Sequence, residues 1–314
     1  MTSSGLFKPA VRTQPALNID VTTTVAKNFN LCGVQCGIPK KDCMTVSYYL
    51  EDHIAHIVLD NGKMNVLTPQ MHKDFHDITR RFELDRDAHV GLLYGAGYAE
   101  GRSFCAGDDI KNKYKPERTK QEEIEAVLFL HQDEVEPTRP GWEDDVYRMR
   151  RYKPIVSAIS GYCLGAGFAY VMQHSDLRIC ARGAKLGLPE VSFGAAGLSG
   201  VIRLMQQIAH VDAAWVALTG EHIPADRARE MRLINEVVEP GELMARALEV
   251  CRMIAAHPPT SVRVEMEALE LGAEMDRHDA AHFGQRLYRL HRMHYQGYGS
   301  VEGFFANRKS SSEE

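Results

Sequence analysis

The sequence predicts an α/β fold on parallel strands, and three observations carry that prediction. Two runs, Val90-Gly91-Leu92-Leu93-Tyr94-Gly95 and Ile155-Val156-Ser157-Ala158-Ile159, read as buried strands. Each runs on into small residues that open a helix, around Ala106-Gly107 in the first case and Gly165-Ala166-Gly167 in the second. The length of 314 residues suits one large α/β domain, or one domain with a smaller appendage.

Residues 1–43 carry little periodicity and read as an N-terminal extension. Cys32, Cys36 and Cys43 lie close together there, but a metal site needs a fourth ligand and tighter pairing, so they read as free thiols. Met44-Thr45-Val46-Ser47-Tyr48-Tyr49 and Ile54-Ala55-His56-Ile57-Val58-Leu59 predict a hairpin closed at Glu51-Asp52-His53. Thr68 and Pro69 supply an N-cap and a first helical position. The helix they start runs to Leu84, with Met71, Phe75, Ile78 and Phe82 on one face. Residues 111–151 turn polar. An acidic helix, Gln121 to Glu136, is broken by Pro137, Pro140 and Gly141, and a second helix spans Trp142 to Arg151. Leu177 to Ala181 is a further strand, followed by a loop carrying Leu188-Pro189-Glu190. From Gly200 the chain is mostly helical, with runs at Val201–Ala209, Asp212–Leu218, Gly241–Ala256, from Thr260, and His278–Tyr298. His278, His282, His291 and His294 have helical spacing but no supporting carboxylates, so no metal site is predicted.

The mildly acidic balance, a formal net charge of −5, argues against a general nucleic-acid or anionic-membrane binder. No apolar run approaches the ~20 residues of a membrane span. The N-terminus lacks the charged and apolar regions of a secretory signal. Seven scattered cysteines read as reduced thiols, so a cytoplasmic location is expected.

The two glycine turns carry the chemistry. A strand running into small residues at a helix start leaves backbone N–H groups pointing outward. Those groups can hold a phosphate or a developing oxyanion. Gly165-x-Gly167 lacks the third glycine of a dinucleotide fingerprint, and no Gly-Lys-Ser/Thr follows. Close helix–strand packing is the plainer use of one such turn. Two such turns on one parallel sheet can each aim an N–H at a single oxygen, which is oxyanion-hole geometry.

Phe104-Cys105-Ala106-Gly107-x-Asp109-Ile110, then Ser160-Gly161-Tyr162-x-Leu164-Gly165-x-Gly167, then Leu188-Pro189-Glu190-Val191 resemble the crotonase (enoyl-CoA hydratase/isomerase) superfamily in order and spacing. Leu218-Thr219-Gly220-Glu221-x-Ile223-x-Ala225, Leu233-Ile234-Asn235-x-Val237-Val238 and Ser300-Val301-Glu302-Gly303-Phe304-Phe305 resemble its later landmarks. The resemblance covers roughly Met44 to Lys309. It implies a spiral of ββα repeats over residues 44–240 and a C-terminal helical region over residues 241–314 that joins subunits into trimers or hexamers.

The resemblance further implies an acyl-CoA thioester substrate, with no cofactor beyond its coenzyme A moiety and no metal. It places the oxyanion-hole donors at the backbone N–H groups of Asp108 and Ala166, and a catalytic carboxylate at Glu190. Adenine would lie against backbone from Ala106 to Asp109, and phosphates near Lys63, Lys111 or Lys309. A solvated loop lysine is the competing reading of Lys63. The chain departs from the hydratase pattern at Ala169, where a second glutamate usually stands, and Leu198 occupies a position that holds Asp in dienoyl-CoA isomerases. A lone carboxylate suits double-bond isomerisation, and it also suits some hydratase-lyases and hydrolases. Hydration would need water positioned by another group, such as Tyr114, Glu134 or Tyr147; His131 and Asp145 share that segment. A catalytically inert CoA-binding or assembly protein is the alternative from a different class. Asp108 is unusual because residues at this point of the family are mostly small, and the sequence leaves its side-chain direction open.

Overall fold

The computed structural model describes residues 45–112, 119–128 and 142–298. The N-terminal extension, and with it Cys32, Cys36 and Cys43, lies outside the described residues. A hairpin opens the described chain, with β1 at Val46–Glu51 and β2 at Ile54–Leu59. Its two central residues, Asp52 and His53, have φ of 48° and 65°, the paired positive values that let a two-residue turn follow strand twist. Helix α1, Pro69–Leu84, starts where the Thr68 side chain accepts the Met71 N–H at 3.2 Å.

The main sheet continues with β3 (Val90–Gly95), β4 (Ile155–Ile159), β6 (Leu177–Ala181) and β9 (Glu236–Val238). Its order is β1-β2-β3-β4-β6-β9, antiparallel only at the hairpin. A small second sheet holds β5 (Tyr162–Leu164), β7 (Lys185–Gly187) and β8 (Ile223–Pro224). Pairs of long and short strands each lead to a helix. Strands β4 and β5 precede α4 (Ala166–His174), and β6 and β7 precede α5 (Leu198–Gln207). This is the spiral of ββα units that the resemblance implies. The remaining helices are α2 (Lys120–Leu128), α3 (Trp142–Arg148), α6 (His210–Thr219), α7 (Ala225–Glu230), α8 (Leu243–Ala255), α9 (Pro259–Gly272) and α10 (Arg277–Tyr298). The second polar-segment helix therefore ends at Arg148, three residues before the Arg151 expected from sequence. None of the described helices is long and apolar enough to cross a membrane.

The central strands β2, β3 and β4 are buried on both faces, so they read as nearly continuous apolar runs. Ala55, Ile57, Leu59 and Leu93 join α1 and α4 in one core, and Ile54, Val58, Leu92 and Val156 join Leu243, Ala247 and Cys251 of α8 in another. An ion pair between the buried Arg151 and the partly exposed Asp176 fixes the start of β4. Arg151 donates to both Asp176 oxygens, at 2.7 and 2.9 Å, and Asp176 Oδ2 also accepts the Ile155 N–H at 2.7 Å. Burial alone would lower the Arg151 pKa, but the Asp176 charge outweighs it and holds it above the ordinary value.

Candidate active site

The site is built where the two glycine turns are stitched together. Phe104 and Cys105 donate to the carbonyls of Ser160 and Tyr162 at 2.7 and 3.0 Å, and Leu164 donates back to Cys105 at 3.0 Å. The first turn is held on its other side by the loop before α1. There the Leu67 N–H meets the Gly107 carbonyl at 2.8 Å, and the Asp109 N–H meets the Leu67 carbonyl at 2.9 Å. Gly167 allows the contact between turns, because a Cβ there would stand 2.6–2.8 Å from Cys105 atoms.

This stitching leaves two N–H groups over. In a parallel bridge the residue between the two bonds turns its own N–H to the far side, and that residue is Asp108. Ala166 is the first residue of α4, so its N–H has no intrahelical acceptor. Among the described residues neither N–H has a backbone partner. Both residues line one cavity of about 450 Å³, whose walls also include Ala106, Tyr147, Ala169 and Glu190.

Glu190 lies in a short 3₁₀ turn, Pro189–Phe193, beyond β7. Its carboxylate fits between two glycines. A Cβ at Gly165 would lie 3.1 Å from Oε1, and one at Gly197 would lie 3.1 Å from Oε2. Oε2 is buried and has no hydrogen-bond partner among the described residues. Burial pushes the Glu190 carboxyl up from its ordinary value; its own backbone N–H offsets part of this, and the Asp108 charge adds to the rise. A carboxyl so placed holds its proton more readily than a solvated one.

The Asp108 side chain turns toward α1. Its Oδ1 accepts from His72 Nε2 at 3.1 Å, and His72 Nδ1 meets the hydroxyl of the fully buried Tyr170. The buried His72 was not singled out in the sequence reading. Its only signal was a polar ring beside the apolar stripe of Met71 and Phe75. Glu143 of α3 was missed as well, and it lines the same cavity. Tyr147 lies on this wall too, and burial, then the charges of Asp108 and Glu143, push its phenol well up.

Other expected site residues fall differently. Ala169 is 4% exposed and lines the cavity, so the departure from the hydratase pattern is at the site itself. Lys63 is exposed, and its carbonyl accepts the Ser103 N–H, which sets it beside the first turn. Lys111 is exposed on that turn as well. Asp109 has its N–H committed to Leu67, and its carboxylate accepts the Lys111 and Asn112 N–H groups at 3.2 and 3.4 Å. Tyr114, His131, Glu134 and Lys309 lie outside the described residues.

A spiral of ββα units that brings two outward N–H groups and an unpartnered carboxyl oxygen to one cavity is an arrangement able to hold an oxyanion and move a proton. The family model described as "Enoyl-CoA hydratase/isomerase" matches residues 50–311, and the chain belongs to that family, within the crotonase superfamily. It is similar to (E)-benzylidenesuccinyl-CoA hydratase of Thauera aromatica, 35% identical over 74% of this chain and 84% of the relative. Mevalonyl-coenzyme A hydratase of Aspergillus fumigatus is 33% identical over 71% of this chain and 77% of its own. The crystal structure of enoyl-CoA hydratase from Bacillus anthracis superimposes with a TM-score of 0.66 at 27% identity, covering 78% of this chain and 90% of that one. The protein is an acyl-CoA-processing enzyme of the enoyl-CoA hydratase/isomerase type.

Proposed function

We propose that this enzyme adds water to, or removes it from, the α,β bond of an acyl-CoA thioester through an enolate. The N–H groups of Asp108 and Ala166 receive the thioester oxygen, each contributing on the order of 3 kcal/mol as charge develops. Glu190 delivers the proton to the α-carbon or takes it away. The carrying observation is the Glu190 carboxyl, held between Gly165 and Gly197 with one oxygen unpartnered, in the same cavity as both free N–H groups. The names of the relatives at 35% and 33% identity support water addition. Double-bond isomerisation is the second reading, favoured by Ala169 in place of a second glutamate.

Coenzyme A enters as part of the substrate, and the chemistry calls for no other cofactor. Its adenine would rest on backbone near Ala106, with Lys63, Lys111 and Lys309 answering its phosphates. The functional unit is a homotrimer or a pair of trimers in the cytoplasm. Exposed apolar side chains support the assembly: Ile202 and Met205 on α5, and Val211, Trp215 and Leu218 on α6.

Solvent-deuterium incorporation at the α-carbon of butyryl-CoA tests the mechanism. The unmodified enzyme should exchange that position, and Glu190→Gln should slow exchange by about a thousandfold with ester binding retained. Undiminished exchange in Glu190→Gln would move the base elsewhere.

A further inference from the structure

We infer that Asp108 supplies the second carboxylate of the water-addition site, held in place by His72, in the role that Ala169 leaves vacant. This rests on the enolate reading above. Addition of water needs two proton positions, one at the α-carbon and one at the water that attacks the β-carbon. Glu190 meets the first, and Ala169 has no group for the second. The cavity is nonetheless lined by a second acidic residue, Asp108, as well as by Glu190.

The Asp108 side chain is anchored rather than loose. A carboxylate can only accept, so Nε2 of His72 carries the proton that it donates at 3.1 Å. That leaves Nδ1 facing Tyr170, whose ring stacks on Phe75 at 4.7 Å in the core. The His72 side chain is 8% exposed and that of Asp108 is 55% exposed. The imidazole is thus a buried post with a solvent-facing carboxylate at its tip. One Asp108 oxygen is taken by His72, and the other is left to accept from water. Asp108 is the catalytic residue in this scheme, and His72 is a positioning residue.

The step balances without any further reactant. Asp108 takes one proton from water as the oxygen bonds to the β-carbon. The double-bond pair moves toward the thioester, giving an enolate held by the two N–H groups. Protonated Glu190 then gives its proton to the α-carbon. The enzyme is left with protonated Asp108 and ionised Glu190, and exchange with solvent restores the starting state.

Asp108→Asn separates this role from the enolate chemistry, because it keeps the backbone N–H and nearly the same shape. Hydration would be followed as loss of the conjugated thioester absorbance, with crotonyl-CoA, 3-methylcrotonyl-CoA and cinnamoyl-CoA as probes. For the probe the unmodified enzyme hydrates best, Asp108→Asn should lower kcat by about a hundredfold or more, a loss at least about tenfold greater than its loss of α-proton exchange on butyryl-CoA. His72→Leu should lower hydration about tenfold and spare exchange, and His72→Gln, whose amide can still donate to Asp108, should recover most of the loss. Hydration unchanged in Asp108→Asn would overturn the assignment. Equal loss of hydration and exchange would overturn it too, by reducing Asp108 to a structural part. If the unmodified enzyme exchanged the α-proton but hydrated none of the probes, this role for Asp108 would fall and the enolate reading would stand.

Discussion

Asp176 and Glu190 are both carboxylates drawn partly out of water, and they are treated in opposite ways. Asp176 accepts two N–H groups from Arg151 and one from Ile155, so its charge is answered by protein donors where the central strands β4 and β6 begin. Glu190 has glycines where partners could stand, and its Oε2 is buried without one. A satisfied buried charge holds structure in place, and an unsatisfied one costs stability unless it is used. On the proposed mechanism, the difference separates residues that build the enzyme from the residue that would do its chemistry.

The sharpest way to break the comparison is to remove the partner from the satisfied side. Asp176→Asn takes from the buried Arg151 guanidinium the carboxylate it is hydrogen-bonded to and should destabilise the fold by about 3 kcal/mol in urea unfolding. A loss under ~0.5 kcal/mol would mean that the pair contributes no more than an exposed one.

A smaller effect comes from His174, a buried group that is neutral by necessity. Its Nε2–H donates to the Val146 carbonyl at 2.9 Å, tying α4 to α3, and burial with the nearby Arg151 charge pushes its pKa down to about 3. The unfolded chain takes up this proton near pH 6.5 and the folded chain does not, so folding stability falls as pH drops below that value. The contribution is a slope of up to about 1.4 kcal/mol per pH unit. The unfolding midpoint followed from pH 7 to pH 5 should fall less steeply in His174→Gln than in the unmodified protein.

Much of this was legible in the chain before any coordinates. The long strands β2, β3 and β4 announce themselves because both faces are buried and nearly every residue is apolar or small, His56 of β2 being the exception. Thr68-Pro69 marks the α1 start through its own capping chemistry. Strands β5 and β7 were not legible, since three residues are too few to show a period and pair only because the turns bring them together. Of the site, the two turns could be read from the residues themselves, and Glu190 was proposed only through the resemblance to the superfamily. The Asp108–His72 contact could not, because it joins residues 36 positions apart through the packing of α1 on the first glycine turn.

The central claim is that Glu190 is kept desolvated and unpartnered for chemistry at the expense of stability, and urea unfolding of Glu190→Gln at two pH values tests it most directly. Its folded pKa is raised above the unfolded value, so its ionised form penalises folding as pH rises past the ordinary carboxylate range, and the penalty is absent below it. Glu190→Gln is therefore predicted to unfold at higher urea than the unmodified protein at pH 7.5, with the gap closing near pH 4. A variant less stable than the unmodified protein at pH 7.5 would contradict the account, because it would show that the Glu190 charge is a satisfied one like that of Asp176.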